Sequence, residues 1–595
     1  LRALASRQVG QWLVGIGAVS FAGVCVLLLL IPPAGGYETS LISAYPLSFW
    51  VLFTVGLVVA ILLFFGSTVA DDSRWWAGLG LLTANYGVFF FLPAHRGYYL
   101  YDRKNTDALG HLGMVREVLQ TGATPDTFYP LEHMILTEFV MTGLSRALAR
   151  YLFSFVFTIL FVLSISVLLR RMTGDTRATG AGLCAAMPLV FANFQVRIHP
   201  AIFSFMFVPL LLFVVERFRD QHRWHDLIPF LMIGTAIMFF HPMTTALVIL
   251  LLLSTRIIQY AYERIQGVQI RTTSPRLAVL LIPPTAAWYI SFGRTKRALR
   301  DIILGVLQST DGTITSDQLQ RVSVVEFSPM QLAVRFLQKY GVVFVICVVA
   351  ALFILTVVVR LRRRNSSYPE VLVAGQFLIG AGVSALFLNV YLIAFDPIRV
   401  SRYMIIMAVL ATGLLAYRAI VDDIILRGIS FGSVLTVLLV CAIVTAALLS
   451  TFVGTTYWAN MHMTHSEYHG TEFILDNHDQ RLDIYSQDLV VKMQWFVYGE
   501  RDHYFPHPIG PNSRVPRHLG YDKNGTAAQT FGSAHVVTQN HDTRFYTAEY
   551  YTESQQRALF VYDQQDVARM RHDPTAHRVY NNGGFSSWLI TNRTM

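Results

Sequence analysis

The stretch Tyr340 to Arg364, YGVVFVICVVAALFILTVVVRLRRR, decides what kind of protein this is. A helix of about 20 uncharged apolar residues crosses the roughly 30 Å hydrocarbon core of a bilayer, and arginines at its end belong on the cytoplasmic side. Similar windows recur outward from it, near residues 11–31, 47–68, 77–94, 150–169, 178–195, 201–216, 227–240, 242–259, 277–293, 340–360, 369–393, 402–419 and 431–452. The composition agrees: 54% of the 595 residues are hydrophobic and only 14% are charged, unlike a soluble domain. The chain therefore reads as a polytopic α-helical membrane protein with about thirteen spans.

Arginines orient the spans. With a cytoplasmic N-terminus, Arg170, Arg171 and Arg177, then Arg217, Arg219 and Arg223, then Arg256, Arg264 and Arg271, then Arg360 to Arg364 all fall in inner loops. The same clustering accounts for the net charge of +10 without any nucleic-acid partner. The first apolar window is too long for a signal-peptide core and reads as a retained span. An odd span count puts residues 95–149, 294–339 and the carboxy-terminal part outside. The expected division is a transmembrane domain, 1–454, with these two long outer loops, and an extracytoplasmic α/β domain, 455–595. All four cysteines (Cys25, Cys184, Cys347, Cys441) lie in apolar windows, so the outer domain must be stabilised by packing.

The first outer loop reads HRGYYLYDRKNTDALGHLGMVRE from His95 to Glu117. Asp107 and His111 are four residues apart and share a face if this segment is helical. Such a pair serves as a general base with its imidazole partner, or as part of a hard-metal site for Mg or Mn; the alternative is that Asp107 or Thr106 merely opens the helix. Glu132 and His133, adjacent in sequence, point in different directions and weigh less. His199-Pro200 and His241-Pro242 fall at outer corners, where proline shapes the turn and histidine is expected as a hydrogen-bonded corner residue.

Two basic groups break the orientation rule. Arg294, Lys296, Arg297 and Arg300 lie in RTKRALRD just outside a span, and Arg399 and Arg402 lie in FDPIRVSR at the mouth of another. Guanidinium forks match phosphate oxygens, so both groups are candidates for the phosphate of a lipid-linked substrate. Attraction to anionic membrane lipids accounts equally for the first group, and a salt bridge to Asp396 for Arg402.

In the outer domain, MHMTHSEYHGTEFIL from Met461 places His462, His465 and His469 at near-helical spacing, expected as surface histidines rather than a zinc site. Strands are expected at 482–486, 558–562 and 578–580 and helices at 488–498 and 564–570. Without a phosphate loop, nucleophile elbow or cysteine pair, the domain reads as a binding or lid module. Asn524 and Asn592 open sequons.

The words YYLY (98–101), DALGHLG (107–113), TFYP (127–130), HLGYDKNGT (518–526) and RVYNNGG (578–584) resemble a family of mainly archaeal multispan proteins of the GT-C glycosyltransferase type. The resemblance implies a GT-C-like membrane fold, an outward-facing site, a polyprenyl-phosphate-linked sugar as donor and a glycan or protein acceptor, at the plasma membrane. On it, Asp107 matches the acidic catalytic residue. The loop departs from better-known members in lacking an adjacent acidic pair and in its extra DRKNT, residues 102–106. A flippase of lipid-linked glycan, or a non-catalytic envelope scaffold, are the rival readings.

Overall fold

The computed structural model describes residues 2–101, 107–124, 127, 129–191, 199–221, 224–293, 296, 297, 300, 328–390, 397–422, 425, 426, 429–449, 459–487, 489, 491–499, 514–523, 525–549 and 551–592. Every predicted apolar window carries a helix. The first half contributes α1 (Arg7–Leu30), α2 (Leu47–Ala70) and α3 (Trp75–His95), then the loop helices α4 (Asp107–Thr121) and α5 (Leu131–Met141). There follow α6 (Arg146–Thr173), α7 (Ala178–Phe191), α8 (Pro200–Met206), α9 (Val208–Gln221), α10 (Trp224–Phe240), α11 (Pro242–Gln266) and α12 (Arg276–Ser291). The bundle closes with α13 (Pro329–Arg362), α14 (Tyr368–Val390), α15 (Pro397–Val421) and, after the short hairpin β1 (Ile425–Leu426) and β2 (Ile429–Ser430), α16 (Phe431–Leu449).

Among the described residues, ten helices are long and apolar enough to cross a membrane, with α8 and α9 running on as one candidate span, Pro200–Asp220. The other three predicted windows form shorter helices, of 14 residues in α7, 17 in α10 and 16 in α12. Prolines inside each of these three remove intrahelical hydrogen bonds.

Local chemistry sets the helix ends. Ser145 caps α6 through the Leu148 N–H, and Gly174 ends it in the left-handed conformation (φ 69°). Ser328 and Gln331 form a capping box at the start of α13. The span Ser401–Val421, within α15, is the most enclosed, with 78% of its apolar window buried; the first span has 17%. Exposed Val19, Leu29 and Leu30 on α1 suit contact with lipid.

The bundle has two chemically distinct ends. One carries ion pairs between arginines and buried or half-buried acids: Arg219–Glu216 at 2.6 Å, Arg217–Asp226 at 2.8 Å, Arg177–Asp175 at 2.7 Å and Arg418–Glu370 at 3.0 Å. The other carries α4, α5, His199, His241 and the carboxy-terminal module.

That module contains α17 (His465–Asn477), α18 (Val491–Tyr498) and a four-stranded sheet of β3 (Asp483–Tyr485), β4 (Ala534–Gln539), β5 (Ala576–Asn581) and β6 (Phe585–Ile590), ordered β3-β4-β6-β5. β3 runs parallel to β4, and β6 is antiparallel to both its neighbours. All six residues of β4 are buried, and the Trp588 indole N–H donates to Thr538 Oγ1 at 3.0 Å across β4 and β6.

The expected strand at 558–562 is corrected. A capping box of Thr552 and Gln555 starts a helix, Glu553–Leu559, and Tyr562 beyond it donates to Asp542 at 2.8 Å. Strands β4 and β6, which carry the sheet, escaped the sequence reading. The expected surface position of His462 is corrected too. It is fully buried, sandwiched between Tyr98 (ring centroids 3.7 Å apart) and Tyr37 (4.9 Å). His465 and His469 are exposed, as expected.

The module docks on the first loop. Met463 N–H donates to Leu100 C=O at 2.6 Å, Tyr99 N–H to Met463 C=O at 2.9 Å, and Asn460 N–H to Thr39 C=O at 2.8 Å. Helix α18 lies against α4, where Gly113 sits so close to the Trp495 carbonyl that a Cβ would meet its oxygen at 2.3 Å. Arg146, at the start of α6, donates to both Leu112 C=O (3.2 Å) and Phe496 C=O (2.8 Å).

A histidine cluster at one end of the bundle as candidate active site

The described part of helix α4 begins at Asp107, whose side chain lies outside the described residues. One turn on, His111 is 5% exposed and its Nδ1 lies 2.9 Å from Nε2 of His133, on α5. One of these nitrogens must donate. His133 Nδ1 is buried with no hydrogen-bond partner among the described residues, and an unpaired lone pair there is tolerated better than an orphaned N–H. The favoured arrangement has His133 donating from Nε2, so His111 carries its own proton on Nε2 as a donor toward the other side of its ring. Burial, with the neighbouring His111 ring adding to it, pushes the His133 pKa well below its ordinary value and keeps it neutral.

The two proline corners join this pair. Ring centroids separate His111 from His199 by 6.5 Å, His199 from His241 by 6.4 Å, His241 from Tyr129 by 6.4 Å and Tyr129 from His111 by 5.8 Å. His199 does act as a corner residue: its Nδ1 accepts the Ala201 N–H at 3.2 Å while Pro200 begins α8. That bond leaves the proton on Nε2. His241 likewise precedes Pro242 at the start of α11. Four histidines and a tyrosine from four separate segments thus surround one spot, which adjacency in sequence did not reveal. Glu132, fully buried beside His133, lies on the same helix.

Arg150 was also missed. It is fully buried near the start of α6, its guanidinium 5.1 Å from the Tyr151 ring centroid, and the Tyr151 hydroxyl accepts the Tyr101 N–H at 3.2 Å. Its only sequence signal was an arginine at the edge of an apolar window.

The basic candidates divide. Arg294 and the Arg399 side chain lie outside the described residues, as does Asp396, the salt-bridge partner expected for Arg402. Lys296, Arg297 and Arg300 are exposed, and no described hydrogen bond or ion pair ties them to the histidines. Arg402 is only 9% exposed and lines an otherwise apolar cavity with Phe161, Leu189, Ile202, Phe205, Met206 and Ile405. A cation so placed suits a lipid-linked anion better than an exposed one does.

Among the described residues, no group of three or more His, Cys, Asp or Glu is arranged to hold a metal ion. The His111–His133 hydrogen bond also occupies one nitrogen of each ring, and imidazole is a poorer ligand for Mg or Mn than oxygen is.

Residues 133–293, from His133 through α12, match the family model described as dolichyl-phosphate-mannose-protein mannosyltransferase. The resemblance to GT-C proteins holds over this segment. Solved structures that align with the chain include the oligosaccharyltransferase of Archaeoglobus fulgidus in complex with Zn and sulfate, at 10% identity and a TM-score of 0.45 over 86% of this chain and 73% of that one. ArnT from Cupriavidus metallidurans in the apo state aligns at 11% identity and a TM-score of 0.42, over 87% and 98%. The same protein bound to undecaprenyl phosphate gives 12%, 0.42, and the same coverage, 87% and 98%. No curated protein matches the sequence.

Proposed function

We propose that this chain is a glycosyltransferase of the GT-C type that moves a sugar from a polyprenyl-phosphate-linked donor to a glycan or protein acceptor at the outer face of the plasma membrane. The observation that carries this reading is the gathering of His111, His133, His199, His241 and Tyr129 at the bundle end where α4 and the soluble module meet. The similarity of residues 133–293 to a family named for a dolichyl-phosphate-mannose donor supports the donor class. The proposed orientation places the N-terminus in the cytoplasm and the module outside.

In the proposed reaction, Asp107 takes the proton from an acceptor hydroxyl as its oxygen attacks the anomeric carbon. The bond from that carbon to the phosphate oxygen breaks with inversion, and polyprenyl phosphate leaves with the electron pair. His111, held by His133 and carrying its proton on Nε2, orients the base. Arg402 stabilises the phosphate from the cavity it lines, with Arg294, Lys296, Arg297, Arg300 and Arg399 as further candidate contacts on the donor's path. No step of this scheme is routed through Mg or Mn.

Replacing Asp107 tests the proposal. Asp107→Asn and Asp107→Ala each abolish release of polyprenyl phosphate from a labelled donor while membrane insertion and amount of protein stay unchanged. Undiminished transfer by both variants refutes it.

A further inference from the structure

The carboxy-terminal module holds a second concavity at the far end of α17 from the Leu100–Met463 junction. It encloses about 460 Å³ between that helix end, the following loop and the edge of the sheet, within the range of about 300–1,000 Å³ usual for small-molecule pockets. α17 has 13 residues, so at 1.5 Å per residue its far end lies roughly 20 Å from its first turn, which follows the Met463 junction with the first loop. The pocket is separate from the histidine cluster.

Its chemistry is divided. Phe473, stacked on Tyr580 with centroids 4.1 Å apart, and the neighbouring sheet face supply an apolar wall. Asn477, Asp479, Ser533, His535 and Thr591 are the pocket's polar lining residues. Asp479 N–H donates to His535 Nε2 at 3.2 Å, so the His535 proton is on Nδ1, a buried atom with no acceptor among the described residues. The Asn477 amide donates to the Phe473 carbonyl at 2.9 Å, leaving its own carbonyl oxygen to accept.

Charge narrows the ligand class. The Asp479 carboxylate is matched by Arg481, at 2.7 Å, so the rim has no excess cation to hold a phosphate. An acyl chain filling the pocket would leave its five polar lining residues without partners. A sugar ring has the complementary chemistry: a C–H face for the apolar lining residues and hydroxyls that both donate and accept for the polar ones.

We infer that this pocket binds a neutral sugar unit. Resting on the transfer reading above, it holds a distal part of a glycan acceptor while the reacting end lies at the histidine cluster.

The test is saturation-transfer NMR on the full-length chain in detergent with methyl glycosides of glucose, galactose, mannose and N-acetylglucosamine, and with inorganic phosphate as the anionic control. At least one glycoside gives transfer and phosphate does not compete. Asn477→Ala, at an exposed position, weakens binding about tenfold, the effect of losing one hydrogen bond. Val579→Trp, also at an exposed position lining the pocket, fills it and abolishes binding. Unchanged thermal melting shows that both variants fold. Absence of signal from all four glycosides, or binding that survives Val579→Trp, overturns the inference. Glycoside binding by a chain that proves inactive leaves the pocket standing and removes only the transfer reading.

Discussion

Gly113→Ala is the sharpest test of whether docking of the soluble module positions the candidate site. The added methyl would stand 2.3 Å from the Trp495 carbonyl oxygen and 2.6 Å from its carbon, and because these are backbone atoms no side chain can swing away. Reaching ordinary van der Waals contact requires α4 and α18 to part by about 1 Å. Overpacking of this kind costs about 1–3 kcal/mol. The same displacement moves the helix bearing Asp107 and His111, and a misplacement of about 1 Å reduces catalysis roughly 100-fold. Gly110→Ala is the matched control: its Cβ would lie 3.5 Å from the Trp495 ring, an ordinary contact. The assay is polyprenyl phosphate release in membranes, paired with thermal melting of the purified chain. The expected result is a lowered melting temperature and a large rate loss for Gly113→Ala, with Gly110→Ala close to the parent. If Gly113→Ala melts and reacts like the parent, the docking of α4 on α18 does not hold the site in place.

His133 makes stability depend on pH. Its native pKa lies well below 6.5 while the unfolded chain titrates near 6.5, so the unfolded state binds the extra proton between those values. The stability is full above pH 6.5 and declines as the pH falls toward the native value; His133→Gln flattens this part of the melting-temperature profile, and an unaltered slope contradicts it. Arg402→Ala raises the KM for the lipid-linked donor about tenfold or more, as expected for loss of a charge-assisted contact, without a comparable change for the acceptor. A donor KM equal to the parent's removes Arg402 from the site. Tyr98→Leu strips one ring from the His462 sandwich and the 2.5 Å bond to Glu38, so amides of residues 459–464 exchange faster in hydrogen-exchange mass spectrometry. Unchanged protection there means that the stack does not hold the junction.

The helical bundle was legible in the sequence because lipid makes one demand that composition alone can answer. A spanning segment must satisfy its own backbone and present apolar side chains, so every window needed only length and hydropathy to be recognised. Asp107 at the head of α4, with His111 one turn on, was legible for a similar reason: helical periodicity is local. The corners at His199 and His241 could be placed because proline fixes φ and starts a helix.

What brings these residues together is not local. His111, Tyr129, His133, His199 and His241 become neighbours only when α4, α5, α8 and α11 pack, and each taken alone has an ordinary structural explanation. The burial of His462 between two tyrosines and the central place of β4 depend likewise on partners far away in the chain. Sequence alone determined which segments suit lipid and which helix carries the candidate base, because hydropathy and turn chemistry act over a few residues. Only tertiary structure decided that the carboxy-terminal module clamps α4 and that four histidines share one end of the bundle, because side-chain convergence is set by packing between segments that sequence distance does not measure.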